Sequence, residues 1–90
     1  MQIDSSTILV TGGSSGLGAA CVEGLVRLGA RVIVADLAPP REQLPKSALF
    51  VRTDITSESD LRAAIASGQE RFGPLHGAVA CAGILQRCYR

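Results

Sequence analysis

The chain has 90 residues, with nine Lys or Arg against eight Asp or Glu, for a formal net charge of +1 at pH 7. With no cluster of basic residues, that balance excludes the electrostatic footprint of a nucleic-acid or acidic-membrane binder. Hydrophobic content of 47% with 19% charged residues is globular and not disordered, and no apolar run approaches the ~20 residues of a membrane span.

The opening Met1–Ser6 has neither a basic n-region nor a long apolar stretch, so a leader sequence is not expected. Cys21, Cys81 and Cys88 are odd in number, widely spaced and free of a C-x-x-C pair. No structural disulfide and no metal site are therefore expected, and a reducing, cytoplasmic compartment is. Ninety residues make at most one small domain.

The first element is the apolar run Ile8-Leu9-Val10, the composition of a buried parallel strand. It stops at Gly12-Gly13, and a helical pattern resumes near Gly16. Leu17, Ala20, Cys21, Gly24, Leu25 and Leu28 fall at helical spacing and predict the inward face, with the small Ala19, Ala20 and Gly24 allowing close packing and Gly29 ending the helix. Arg31–Asp36 reads as a second strand buried on both faces. Pro39, Pro40 and Pro45 exclude an ordinary helix over 37–47 and predict a loop. Ala48–Arg52 is a third strand. Ser57 and Asp60 form a capping box for a second helix. Its inward face is Leu61, Ala64, Ile65, Gly68 and Phe72, and Gly73-Pro74 stops it. Leu75–Ala82 is a fourth strand closed by Gly83, and 84–90 is too short to assign. Right-handed crossovers follow, giving an α/β doubly wound parallel sheet of order 3-2-1-4, truncated after the fourth strand. The outer edge of strand four (Ala78–Cys81) is apolar and expected to invite association.

A strand, a glycine turn and a helix start together form a phosphate cradle, because the first helical N–H groups lack partners and the dipole favours an anion. Gly13 and Gly18 match a G-x-x-x-x-G phosphate loop. Ala19-Ala20 stand where that loop needs Lys and Ser/Thr, so a nucleotide triphosphatase is rejected. What remains is T-G-x-x-x-G-x-G, Thr11–Gly18. Ligands of such sheets sit at the carboxyl ends of the strands, and all four ends carry candidates: the glycine loop, Asp36, Asp54-Ile55 and Cys81-Ala82-Gly83. Asp36 lies 18 residues beyond Gly18, near the spacing at which an acid holds a ribose 2′-hydroxyl. A 2′-phosphate about 4 Å from its carboxylate would meet roughly 4 kcal/mol of repulsion at an effective dielectric near 20, nearly a thousandfold in affinity. No basic residue stands at Ser14, Ser15 or Leu37 to offset it, so NAD and not NADP is expected.

T-G-G-S-S-G-L-G, V-A-D-L, T-D-I-T-S and A-C-A-G-I together resemble the short-chain dehydrogenase/reductase family, in its order and spacing. The wording looks closest to the branch containing the type II 3-hydroxyacyl-CoA dehydrogenases. The resemblance implies a Rossmann-type, partial NAD-binding domain over 1–90. It places Ser15 and Leu17 at the pyrophosphate, with Gly12, Ser14, Gly16 and Gly18 also cofactor-binding, and Asp36 on the adenosine ribose. Asp54 and Ile55 would flank the adenine, and Cys81, Ala82 and Gly83 would run under the nicotinamide ribose. Ala80-Cys81 replace the Asn-Asn common in the family, which weakens the general family contacts, and the Cys variant resembles the hydroxyacyl-CoA branch. It also implies hydride exchange between NAD and a secondary alcohol or ketone, and a homo-oligomeric parent.

The family's proton-transfer chemistry uses a Tyr-x-x-x-Lys pair and a Ser. Here Tyr89 is the sole tyrosine with no Lys four residues on, and the one lysine, Lys46, lies in the proline-rich loop. No catalytic residue is assigned, and the chain is expected to be inactive alone, resembling the family's first third to two-fifths. Gln86–Arg90 looks unlike a family continuation and suggests truncation or a shifted reading frame. Ser14 and Ser15 have no His to activate them, so no hydrolytic triad exists. His76 opens strand four away from the ligand edge and reads as a surface or packing residue. Two other readings are an NAD(H)-binding or interaction module without chemistry, and a small α/β domain with no ligand.

Overall fold

The computed structural model describes residues 5–14 and 16–81. In chain order the elements are β1 (Thr7–Thr11), α1 (Gly16–Arg27), β2 (Arg31–Asp36), β3 (Ala48–Arg52), α2 (Glu58–Phe72) and β4 (Gly77–Ala80). All strand pairings are parallel, in the order β3-β2-β1-β4. The expected α/β topology is therefore present, with β4 shorter than the 75–82 span its apolar run predicted.

The continuous apolar runs of β1 and β2 are explained by helices on both sides of the sheet. Ile8, Val10, Val32 and Val34 face α1 and form one buried cluster with Val22, Ala30, Ala48 and Cys81. Leu9, Ile33 and Ala35 point the other way and pack with Ala64 of α2. Every side chain of β2 from Val32 to Ala35 is fully buried, and each Val or Ile so buried contributes roughly 1.5–3 kcal/mol against exposure.

α1 is turned by one residue from its predicted orientation. Its core-facing residues are Gly18 and Val22, with Cys21, Leu25 and Val26 partly buried beside them. Leu17 and Leu28, both predicted inward, are 58% and 61% exposed. Backbone contact decides the rotation: a Cβ on Gly18 would lie 1.8 Å from the Gly12 carbonyl oxygen, so only a hydrogen fits where the helix crosses the turn. Gly24 and Ala20 are exposed, and a Cβ on Gly24 would meet nothing within 4 Å. The small residue that permits the close approach is thus Gly18. α1 ends in a Schellman motif, with Ala30 N–H donating to Leu25 O and Gly29 N–H to Val26 O, both at 3.0 Å.

Residues 37–47 contain neither helix nor strand, as the three prolines require; Leu44 from this loop packs onto the α1 cluster. α2 is capped by Ser57, whose Oγ accepts from Asp60 N–H at 3.2 Å. The reciprocal half of the predicted capping box is not made. Asp60 is one methylene shorter than the usual Glu, and its Oδ2 accepts from Asp54 N–H at 2.9 Å, while Ser57 N–H donates to Asp54 O at 2.9 Å. The inward face of α2 holds four of the five predicted residues, with Ala64 and Gly68 buried and Ile65 and Phe72 packed on the second cluster, while Leu61 is half-buried outside it. β4 forms one edge of the sheet, with Ala78 and Ala80 exposed.

Candidate functional site

Parallel register brings the carboxyl ends of the strands to one rim. Thr11 pairs with Ala35 on one side and Ala80 on the other, and Asp36 pairs with Arg52. Backbone bonds continue each ladder past its strand: Gly12 N–H to Ala35 O at 2.8 Å, Thr53 N–H to Asp36 O at 2.8 Å, and Cys81 N–H to Thr11 O at 2.9 Å. The glycine turn, Asp36, Thr53-Asp54 and Cys81 therefore share this rim.

The Asp36 side chain is tied directly to the glycine loop. Ser14 N–H donates to Asp36 Oδ2 at 3.1 Å, and Ala38 N–H approaches Oδ1 at 3.4 Å. Oδ2 is thus anchored, while Oδ1 has only the longer contact and lone-pair capacity to spare. Ser14 is 5% exposed, and its Oγ has no partner among the described residues. Thr7 Oγ1 is likewise buried without a partner, at the opposite rim, so this property alone does not mark a ligand site. At Ser14 it coincides with a half-buried carboxylate and with the start of α1. The first N–H groups of α1 have no acceptor inside the helix, and no acidic side chain occupies its first turn. The rim therefore offers donors for an anion beside an acceptor for a hydroxyl.

Asp54 has a structural task. Its Oδ1 accepts from Thr56 Oγ1 at 2.6 Å and Thr56 N–H at 2.9 Å, closing the turn that opens α2. The Thr56 hydroxyl first, and its amide second, hold the Asp54 carboxyl below the usual range. Ile55 is half-buried in the same turn. Cys81 is buried, and its thiol donates to the Cys21 sulfur of α1 at 3.8 Å. Gly12 lies in the glycine turn, and Gly16, Leu17 and Gly18 form the first turn of α1. Ser15, Ala82 and Gly83 lie outside the described residues, as do Cys88 and Tyr89. His76 is at the other rim, where its N–H donates to Thr7 O and its Nδ1 accepts from Thr7 N–H.

Arg52 was missed by sequence reasoning. The glycine loop and the residue after Asp36 carry no cation, but the β2–β3 register sets Arg52 beside Asp36. Its Nε donates to Leu37 O at 3.4 Å, and no ion pair with Asp36 forms. An arginine directly before T-D-I-T at the end of a predicted third strand is the signal that could have revealed it. A cavity of about 620 Å3 opens between α1 and Pro40–Pro45. It reaches Ser14 and Gly16 but not Asp36, Asp54 or Cys81, so it adjoins the rim without forming it. Among the described residues there is no group of three His, Cys, Asp or Glu placed to hold a metal ion, and no helix long and apolar enough to cross a membrane.

The sequence profile of the short chain dehydrogenase family matches residues 6–89. The chain is 43% identical over 87 residues to a 3-hydroxyacyl-CoA dehydrogenase type-2 of Drosophila melanogaster, covering 91% of this chain and 34% of that protein. The Bos taurus protein of the same name is 44% identical over 81 residues, covering 84% and 31%. Among solved structures, a short chain dehydrogenase from Leptospira borgpetersenii with bound NAD+ superposes with a TM-score of 0.78 at 27% identity, covering 90% of this chain and 32% of that one. The chain thus spans about a third of the length of these relatives. Four parallel strands in the order 3-2-1-4, a glycine turn against an acidic strand end, and a profile match over nearly every residue lead to one conclusion: the chain belongs to the short-chain dehydrogenase family.

Proposed function

We propose that this chain is the cofactor-binding part of an NAD-dependent oxidoreductase acting on a secondary alcohol or ketone, of the 3-hydroxyacyl-CoA class its relatives suggest. The observation that carries this reading is the Ser14–Asp36 bond at 3.1 Å, which joins the anion-accepting turn and a hydroxyl-accepting carboxylate in one rim. The residues fit a dinucleotide. The N–H groups at Gly16, Leu17 and Gly18 would face the diphosphate with Gly12, and the buried Ser14 Oγ supplies a donor without a partner. Asp36 Oδ1 would accept from an adenosine ribose hydroxyl. Ser15, Asp54, Ile55, Cys81, Ala82 and Gly83 complete the proposed cofactor contacts. When bound, NAD supplies the hydride acceptor.

NAD is favoured over NADP by the Asp36 charge. The neighbouring Arg52 is turned to the Leu37 carbonyl and does not neutralise it. The 90 residues contain no Tyr-x-x-x-Lys, so they supply nucleotide binding and not proton transfer. For the chain by itself this favours a second reading, an NAD(H)-binding module without turnover. A cytoplasmic location and a homo-oligomeric parent accompany the first reading.

Titrating the chain with NADH, followed by nicotinamide fluorescence, tests the proposal. Binding is expected for the natural sequence and for Arg52→Ala. It should weaken by roughly 10-fold or more for Asp36→Ala, since a hydrogen bond to a charged group contributes about 1.5–3 kcal/mol. Equal NADH affinity in the Asp36→Ala chain would overturn the role of Asp36. No binding to a chain shown to be folded would overturn the reading.

A further inference from the structure

We propose that Cys21 and Cys81 form a peroxide-inducible disulfide that joins α1 to the end of β4. The two residues are 60 positions apart in sequence, yet the fold sets their sulfurs 3.8 Å apart. Cys21 sits on the sheet-facing side of α1, and Cys81 follows the last residue of β4, held there by its N–H bond to Thr11 O. Both belong to the same apolar cluster. Bond formation requires the sulfurs to approach by about 1.8 Å, to the ~2.05 Å of a disulfide.

The two thiols differ in a way that orders the reaction. Cys21 is partly exposed and Cys81 is buried, so a small oxidant in solution meets Cys21 first. Burial, and then the neighbouring Cys21 sulfur, push the Cys81 thiol above its ordinary range, which makes Cys81 the slower first nucleophile. Hydrogen peroxide converts the Cys21 thiol to a sulfenic acid, releasing one water as the O–O bond is reduced. The Cys81 sulfur then attacks the Cys21 sulfur. An S–S bond forms, the S–O bond breaks, and the Cys81 proton leaves with the hydroxyl as a second water. Two thiols are oxidised by two electrons and one peroxide is reduced to two waters.

The product ties the helix that opens at the glycine loop to the strand that ends at the same rim. It is independent of any ligand, so failure of the cofactor reading leaves it standing. The chain is treated with hydrogen peroxide under native conditions, free thiols are blocked, and tryptic peptides are mapped by mass without reduction. A Cys21–Cys81 peptide pair is expected, lighter by two hydrogens than its reduced parts. It should survive Cys88→Ser, disappear on thiol reduction, and be absent in Cys21→Ser. Non-reduced oxidised chain should also melt higher than reduced chain, with the difference lost in Cys21→Ser. Pairing of either residue mainly with Cys88, or further oxidation of Cys21 with Cys81 left as free thiol, would overturn the proposal.

Discussion

Replacing Gly18 by alanine tests the contact that orients α1. In the native chain a Cβ there would sit 1.8 Å from Gly12 O, 2.7 Å from Gly12 C and 2.8 Å from Gly13 Cα. Ordinary contact begins near 3.4 Å, so helix and turn must separate by about 1.6 Å, well inside the steep repulsive wall of the atomic contact. The obstructing atoms are backbone and have no rotamer in which to escape. Overpacking costs about 1–3 kcal/mol, and an obstacle made of backbone puts this case in the upper part, about 2–3 kcal/mol, against which alanine's helix propensity returns about 1. The net loss should be about 1–2 kcal/mol. Gly24→Ala in the same helix is the matched control: its Cβ meets nothing within 4 Å, so it should gain up to about 1 kcal/mol. Urea denaturation followed by circular dichroism reads both. With a slope of ~1 kcal/mol/M for a small chain, the two midpoints should differ by roughly 2 M. Gly18→Ala should also weaken NADH binding, because the amides at the start of α1 move with the helix. Equal midpoints, or a Gly18→Ala chain as stable as the natural one, would refute the claim that this contact sets the helix.

Removing the cap with Ser57→Ala should lower stability by about 1 kcal/mol, read as a lower urea midpoint, with NADH affinity unchanged. Two groups contribute to the pH dependence of stability. The Asp54 carboxyl is held low by Thr56, so its contribution is present above the ordinary Asp range, near 3.9, and is lost as pH falls below it. The Cys81 thiol is held high by burial, so its contribution is present below the ordinary thiol range, near 8.5, and is lost as pH rises above it. Thermal melts across pH should show both limbs, with Thr56→Val flattening the acid one and Cys81→Ala the alkaline one. Asp36→Arg should shift preference from NADH toward NADPH, measured as the ratio of dissociation constants. An unchanged ratio would remove Asp36 from cofactor choice. Finally, the exposed β4 edge should drive concentration-dependent association, visible by light scattering under reducing conditions, and Ala80→Lys should suppress it.

Much of this architecture is legible in the linear sequence because its signals are local. Val32–Ala35 reads as a strand covered on both faces, and so it is. Three prolines in 37–47 exclude a helix, and none forms. Gly29 and Gly73 stop their helices through backbone bonds that their positions announce. What stayed hidden depends on distance across the fold. The one-residue rotation of α1 follows from a clash with a carbonyl oxygen six residues earlier, which apolar periodicity cannot register. Leu17 and Leu28 made the wrong face look the more hydrophobic. Arg52 is set beside Asp36 only by strand register across a loop, which neither the glycine loop nor the residue after Asp36 can signal. Asp54, read as a candidate ligand flank, also holds Thr56 through Oδ1, a structural use that nothing in T-D-I-T announces. The approach of Cys21 to Cys81 requires the crossover to be built before it can be seen.

The most direct measurement of the central claim is the backbone amide NMR spectrum of the isotopically labelled chain, recorded as NAD+ is added. The largest shifts are predicted at Gly12–Gly18 and Asp36, with His76 and Thr7 at the far rim unmoved. Shifts confined to the far rim, or a glycine loop that responds without Asp36, would contradict a dinucleotide held between the first helix and the second strand.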